Sequence, residues 1–190
     1  MYNIGMKKIL LYNIDLETTN TIKDIANKRE IAVVLLDDNC LHVPLKDLFL
    51  IEEDAVGAGC SFENEYMMMQ EISHEELVAI VKEIHARGIE FEAIKIMRTE
   101  TNANWPLSAL LEETSKEHEV MQKVFILQQT LQSCNDIKLD ELEEENANQL
   151  KQAMVDAYLY LQAGQFEKDT AEEKSKNLME ALRHATRVVH

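Results

Sequence analysis

The chain has 190 residues and carries 35 acidic against 19 basic side chains, a formal net charge of -16 with the histidines neutral. Such a surface repels nucleic acid unless a compact basic patch exists, and the lysines here are dispersed among glutamates. Glycine (5) and proline (2) are scarce and 46% of the residues are hydrophobic, which excludes disordered and collagen-like chains and leaves material for a sizeable core.

Lys7 and Lys8 precede the apolar run Ile9-Leu10-Leu11, but Asn13 and Asp15 end that run at once. It reads as a strand, Met6 to Tyr12, and not as a secretory leader. Apolar residues at consecutive positions suit an inner strand of a sheet covered on both faces. Thr18 to Arg29 follows as a helix with Ile22, Ile25 and Ala26 facing inward, and Ile31 to Leu36, rich in β-branched residues, as a second strand. That strand is the longest aliphatic run of the chain and is far short of a membrane span. Asp37-Asp38-Asn39 breaks it, and Pro44 to Leu50 forms a short helix. Glu52 to Glu65, which holds Gly57 and Gly59, is the one segment that reads as a long loop.

The pattern then repeats. Tyr66-Met67-Met68-Met69 opens a third strand, so the methionines are core residues there rather than a soft binding surface. Ser73-x-x-Glu76 is a capping box for a helix from His74 to Arg87, with Leu77, Ile80, Val81 and Ile84 as its buried stripe and Gly88 as its stop. Phe91 to Arg98 is the fourth strand. Pro106 opens Pro106-Leu107-Ser108-Ala109-Leu110 as Pro44 opens Pro44-Leu45-Lys46-Asp47-Leu48, each proline pre-setting φ at the first turn of a closing helix. From Pro106 the helical spacing of Leu107, Leu110, Leu111, Met121, Val124, Phe125 and Leu131 runs almost to Cys134. Two more helices follow. Leu139 to Leu161 buries Leu142, Leu150, Met154, Ala157, Tyr158 and Leu161, and Ala171 to Val189 buries Leu178, Met179, Leu182, Ala185 and Val189.

The predicted architecture is therefore α/β (α+β). A duplicated β-α-β unit forms a four-stranded sheet covered by helices over residues 1–116. A C-terminal three-helix arm over residues 117–190 shares the long helix that starts near 106. Right-handed crossovers make the two strands of each unit parallel. Four short strands and the irregular link from Glu52 to Glu65 favour a ferredoxin-like strand order over an all-parallel sheet.

Asp15 follows the first strand, and Asp37 and Asp38 follow the second. Carboxylates gathered at the carboxyl edge of parallel strands are placed to hold Mg²⁺ for phosphoryl chemistry, although no glycine-rich phosphate loop accompanies them. Acidic residues also end strands and begin helices for purely structural reasons. The six histidines show no metal-ligand spacing, and Glu113, Glu117 and His118 on the long helix read as an exposed charged face. With no Gly-x-Ser-x-Gly and no cysteine beside a plausible base, nucleophilic catalysis has no support, and no cofactor is implied. Cys40, Cys60 and Cys134 are odd in number and contain no Cys-x-x-Cys, as expected of reduced thiols in a cytoplasmic protein.

The most distinctive string is Lys95-Ile96-Met97-Arg98-Thr99-Glu100-Thr101-Asn102-Ala103-Asn104-Trp105. It resembles the signature of a bacterial family catalogued only as a domain of unknown function, which carries Lys-x-x-x-Thr-x-Thr-Asn-x-x-Trp and then a helix ending in Glu-His. Lys95, Thr99, Thr101, Asn102, Trp105, Glu117 and His118 match; Ile96 departs from the usual small residue. The resemblance covers about residues 66–121 and implies no activity. Thr99, Thr101 and Asn102 are suited to bonding a strand-to-helix turn, which is favoured over a binding loop. Trp105 is expected to be a buried staple near Leu110 or Leu111, its indole N–H bonded to an acceptor.

The functional expectation is a non-enzymatic protein-interaction or regulatory module. Its helical arm self-associates or engages a protein partner, with no nucleic acid and no membrane involved. The alternative is a Mg²⁺-dependent phosphate-handling or small-molecule-binding enzyme using Asp15, Asp37 and Asp38.

Overall fold

The computed structural model describes residues 6–55 and 57–187. The chain divides into two compact units, Met1–Ser115 and Lys116–His190. In the first, β1 (Lys8–Tyr12), α1 (Leu16–Asn27) and β2 (Ala32–Leu36) form one β-α-β unit. A 3-10 turn (Asp38–Cys40) and the single-turn helix α2 (Leu45–Leu48) follow it. β3 (Tyr66–Gln70), α3 (His74–Ala86) and β4 (Ile94–Met97) form the second unit, and α4 (Leu107–Cys134) follows it.

The sheet has the order β2-β1-β3-β4. β1 and β2 are parallel with Lys8 opposite Ala32, β3 and β4 are parallel with Tyr66 opposite Ile94, and β1 and β3 are antiparallel with Lys8 opposite Gln70. This corrects the ferredoxin-like order, in which each β-α-β unit is split by a strand of the other half. Here each crossover helix packs beside its own strand pair, and β1 and β2 hydrogen-bond directly. Within the sheet the halves meet through their first strands.

Alternation along the two central strands divides the core into two layers. Ile9, Leu11, Met67 and Met69 face α1 and α3, against Ile22, Ile25, Ile80 and Ile84. Leu10, Tyr12, Tyr66 and Met68 face the opposite side, against Leu45, Leu48, Leu107, Leu110 and Leu111 of α2 and the start of α4. Both faces of the sheet are thus covered, and all three methionines of β3 are fully buried. The capping box at Ser73 is present in both directions, and Gly88 takes the left-handed conformation that ends α3 at φ +81°.

On the second face the two closing segments bind each other about the prolines, which form an antiparallel bridge, Pro44 opposite Pro106. Leu45 N–H donates to Trp105 O and Leu107 N–H to Val43 O, both at 3.0 Å. Lys46 N–H donates to Ala103 O and Ser108 N–H to Leu41 O, both at 2.9 Å. The four bonds form two reciprocal pairs, as an approximate twofold between the halves requires. Lys8 adds a buried anchor: its ammonium donates to the carbonyl of Phe49 at 3.1 Å and to that of Ile51, tying the end of α2 to β1. Burial holds the Lys8 ammonium below the usual lysine range.

The second unit contains the rest of α4, a 3-10 turn (Leu139–Glu141), α5 (Glu144–Ala163) and α6 (Lys168–Arg187). α5 starts later than the Leu139 expected, and Gly164 at φ +66° ends it. Tyr160 closes the α5–α6 hairpin, accepting from Glu167 N–H at 3.1 Å, with its ring against Phe166. Leu127, Cys134, Leu150, Ala157, Leu178 and Ala185 form the core. Two residues expected in that core are outside it: Tyr158 is 55% exposed and Met179 41% exposed. Leu150, Ala157 and Leu161 already fill the inward stripe of α5, and Leu178 and Ala185 that of α6. Val189 lies outside the described residues.

Ser175 is buried on the inner face of α6, and among the described residues its hydroxyl has no hydrogen-bond partner. Removing a buried unsatisfied hydroxyl and gaining helix propensity both favour alanine there. Ser175→Ala should raise the unfolding free energy by about 1 kcal/mol. Thermal unfolding followed by circular dichroism would show this as a higher midpoint, and a lower one would mean that the hydroxyl is bonded.

Candidate functional site

The three aspartates at the carboxyl edge of β1 and β2 are acceptors for backbone donors. Asp15 caps α1, taking Thr18 N–H at 2.9 Å, and hydrogen bonds from Thr18 hold its carboxyl below the usual range. Asp37 is buried and takes Asn39 N–H at 3.0 Å and Ala58 N–H at 2.9 Å. Asp38 receives the Tyr12 hydroxyl, Ser61 N–H at 2.9 Å and the Ser61 hydroxyl at 3.2 Å. The Tyr12 hydroxyl, with the Ser61 bonds, lowers the Asp38 pKa.

The bonds from Ala58 and Ser61 fasten the long loop that follows α2 onto the sheet edge. Asp54 and Ala55 close the outer side of β2, with Leu35 N–H donating to Asp54 Oδ1 at 2.9 Å and Ala55 N–H to Leu35 O at 2.8 Å. Asn13, in the left-handed region at φ +57°, donates through Nδ2 to the carbonyls of Phe62 and Glu63 at 3.0 Å. Phe62, Tyr12 and Tyr66 meet edge to face with centroids 6.1–6.5 Å apart. Sequence reasoning did not single out Tyr12, Asn13 or Ser61. The only signal for them was an asparagine closing a strand and a serine within the loop.

A cleft of about 610 Å³ remains between loop and sheet, lined by Asp15, Asp37, Cys60, Glu63 and Glu65 among others. Asp15 and Asp37 reach this cleft, whereas Asp38 is engaged by Tyr12 and Ser61 and does not line it. Among the described residues no three His, Cys, Asp or Glu side chains are grouped so as to hold a metal ion. Burial, with Asp15 nearby, pushes the Glu65 carboxyl up. Burial also raises the Cys60 thiol, which works against a reactive thiolate.

The second half does the same structural work with uncharged groups. Ser73 caps α3 as Asp15 caps α1. Thr99, as far ahead of Pro106 as Asp37 is of Pro44, accepts Asn102 N–H through Oγ1 at 3.2 Å. Asn102 returns the bond, its Oδ1 taking Thr99 N–H at 2.8 Å and its Nδ2 donating to Met97 O at 2.9 Å. Thr99 and Asn102 thus build the turn that presents the carbonyls of Ala103 and Trp105 to Lys46 and Leu45.

The rest of the signature is dispersed. Lys95 lies on β4, its ammonium 3.3 Å from Phe91 O and 4.9 Å from the centre of the Phe91 ring, with burial lowering its pKa. Thr101 is exposed. Glu117 and His118 stand on α4 in the second unit, where Gln122 Nε2 lies 2.9 Å from His118 Nε2. Trp105 corrects the expectation of a buried staple: it is 37% exposed, and among the described contacts its indole N–H has no acceptor. Its backbone is held in the proline bridge, and Leu107, Leu110 and Leu111 supply the packing on the sheet that was assigned to it.

Two outcomes test this structural account. Asp15→Ser should stay within about 0.5 kcal/mol of the native stability while Asp15→Ala loses about 1 kcal/mol, since serine and aspartate cap helices equally well. A serine variant as unstable as alanine would give the carboxylate a role beyond capping. Burial and the bond to Asp38 raise the Tyr12 hydroxyl to about 12. The folded state therefore holds this proton longer than the unfolded chain, and the stability it contributes is complete below about pH 10 and is lost as pH rises towards 12. Tyr12→Phe should cost about 1–3 kcal/mol in urea unfolding at pH 7. The gap from the native protein should narrow above pH 10; a gap that does not change with pH would place the phenol outside this network.

No curated protein and no solved structure matches the chain. Residues 65–121 match a family described as a domain of unknown function (DUF3783), a stretch that takes in β3, α3, β4, the Thr99–Trp105 turn and the first turns of α4.

Proposed function

We propose that the protein is a non-enzymatic interaction module that works through the helices of residues 116–190. The observation that carries this reading is the exposed apolar surface of that unit. On α4, Met121, Phe125 and Ile126 are exposed, Phe125 to 57%; on α5, Val155, Tyr158 and Leu159 are exposed, Leu159 to 59%. Each set follows helical spacing and therefore forms a stripe, not scattered singles. From Asn148 to Ala163 the one acidic residue of α5 is the half-buried Asp156, bonded to Gln152, in a chain whose net charge is -16. Uncharged apolar surface on such a chain is a cost to solubility unless a partner covers it.

The carboxylates at the sheet edge support this reading by their occupation, since each is bonded within the turn or loop that it holds. The reciprocal proline bridge supports descent of the two β-α-β halves from one ancestral unit. No helix among the described residues is long and apolar enough to cross a membrane. The three unpaired cysteines fit a reducing, cytoplasmic setting.

Light scattering on the full-length protein, together with its use as bait against a cell extract, tests the module. The expected result is a mass above one chain or a retained protein. Phe125→Ser and Tyr158→Ser should weaken either association while changing stability by no more than about 0.5 kcal/mol, because both side chains are exposed. A single-chain mass at every concentration with nothing retained would remove the proposal.

A further inference from the structure

We infer that the partner of the α5 stripe is a second copy of this chain, packed antiparallel about a twofold axis at the level of Ala157; this rests on the reading of the helical unit as an interaction module. The exposed positions of α5 have a pattern that reads the same in both directions. Gln152, Val155, Leu159 and Gln162 are spaced three, four and three residues apart, the spacing of a seam between two helices. An antiparallel twofold centred beside Ala157 sets Val155 of each copy against Leu159 of the other. The same operation sets Gln152 against Gln162, so that two amides able to pair with each other flank each apolar contact. An isologous interface needs such self-complementarity, because each residue must find its mate on the same surface.

Charge selects the occupant. Two copies of a chain with net charge -16 repel each other over most of their surface. The fully exposed side chains of α5 from Asn148 onward include no carboxylate, Asp156 being half-buried and bonded to Gln152 at 3.0 Å, and the one charged residue among them is Lys151. In the antiparallel arrangement Lys151 lies beside the last turn of the other copy's α5, at the level of Ala163, where the helix carbonyls place partial negative charge. A strongly basic partner would instead be drawn to the glutamate-rich start of α5 at Glu143, Glu144 and Glu145.

Sedimentation velocity over a concentration series, with the full-length protein, gives the test. The native chain should form a dimer. Val155→Glu buries two unpaired carboxylates in the seam and should move the midpoint of association to a concentration at least about 100-fold higher. Leu159→Lys alone should do the same. Mixing the two variants sets the introduced carboxylate of one copy against the introduced ammonium of the other, once per pair, and leaves the second Val155–Leu159 contact intact. A heterodimer should therefore form, and it should weaken as salt is raised. Circular dichroism should show both variants folded, as expected for exposed positions. A native dimer that Val155→Glu leaves intact would overturn this interface, as would variants that do not pair on mixing. A native monomer that retains a different protein in a Val155-dependent way would overturn the second copy as occupant and leave the module standing. A native monomer that retains nothing would sink both.

Discussion

The fold depends on a contact that no side chain makes. Pro44 and Pro106 face each other without a single N–H between them, and their neighbours provide the donors: Leu45 to Trp105, Leu107 to Val43, Lys46 to Ala103 and Ser108 to Leu41. A proline at this position leaves no donor stranded at the centre of the crossing, where it would be expensive to bury. The bridge brings α2 and α4 side by side over the second face of the sheet, so the leucines of both halves fill one layer. It also limits how the strands can be ordered, since each closing segment has to cross from its edge strand to the middle of the sheet.

Much of this was legible in the sequence and some was not, for separable reasons. Fully buried strands announce themselves as apolar runs, and Ser73, Glu76 and Gly88 mark α3 at both ends. The matching of Pro44 with Pro106 pointed to two related halves. Strand order was not legible, because it lies in the antiparallel pairing of β1 with β3, and apolar runs do not say which neighbour each strand takes. Trp105 misled for a related reason: an aromatic at a helix start looks like a staple, yet here its carbonyl is what the fold uses. Tyr158 misled because α5 carries two apolar stripes at helical spacing, and periodicity alone does not say which one faces inward.

The aspartates show a different limit. A carboxylate that caps a turn and one that binds a cation look the same in a sequence. What separates them is whether donors converge on them, and the donors for Asp15, Asp37 and Asp38 are largely backbone groups of Thr18, Asn39, Ala58 and Ser61, together with the hydroxyls of Tyr12 and Ser61. Ser73 and Thr99 do the same work in the second half without charge, which makes the negative charge of the first half incidental to the architecture.

The antiparallel seam between β1 and β3 also sets the order in which this chain becomes stable during synthesis. As the first fifty residues leave the ribosome, β1, α1 and β2 can pair locally, but one long side of β1 has no neighbour and the layer of Leu10 and Tyr12 lacks the leucines of α4. The missing strand begins at Tyr66 and the missing leucines end at Leu111. A half-made chain therefore shows an open strand edge and an apolar face until the second half has emerged, the state in which nascent chains recruit chaperones or one another. Once Leu107 to Leu111 arrive, edge and face close together, so the late steps of folding should be cooperative and the halves should have little stability apart.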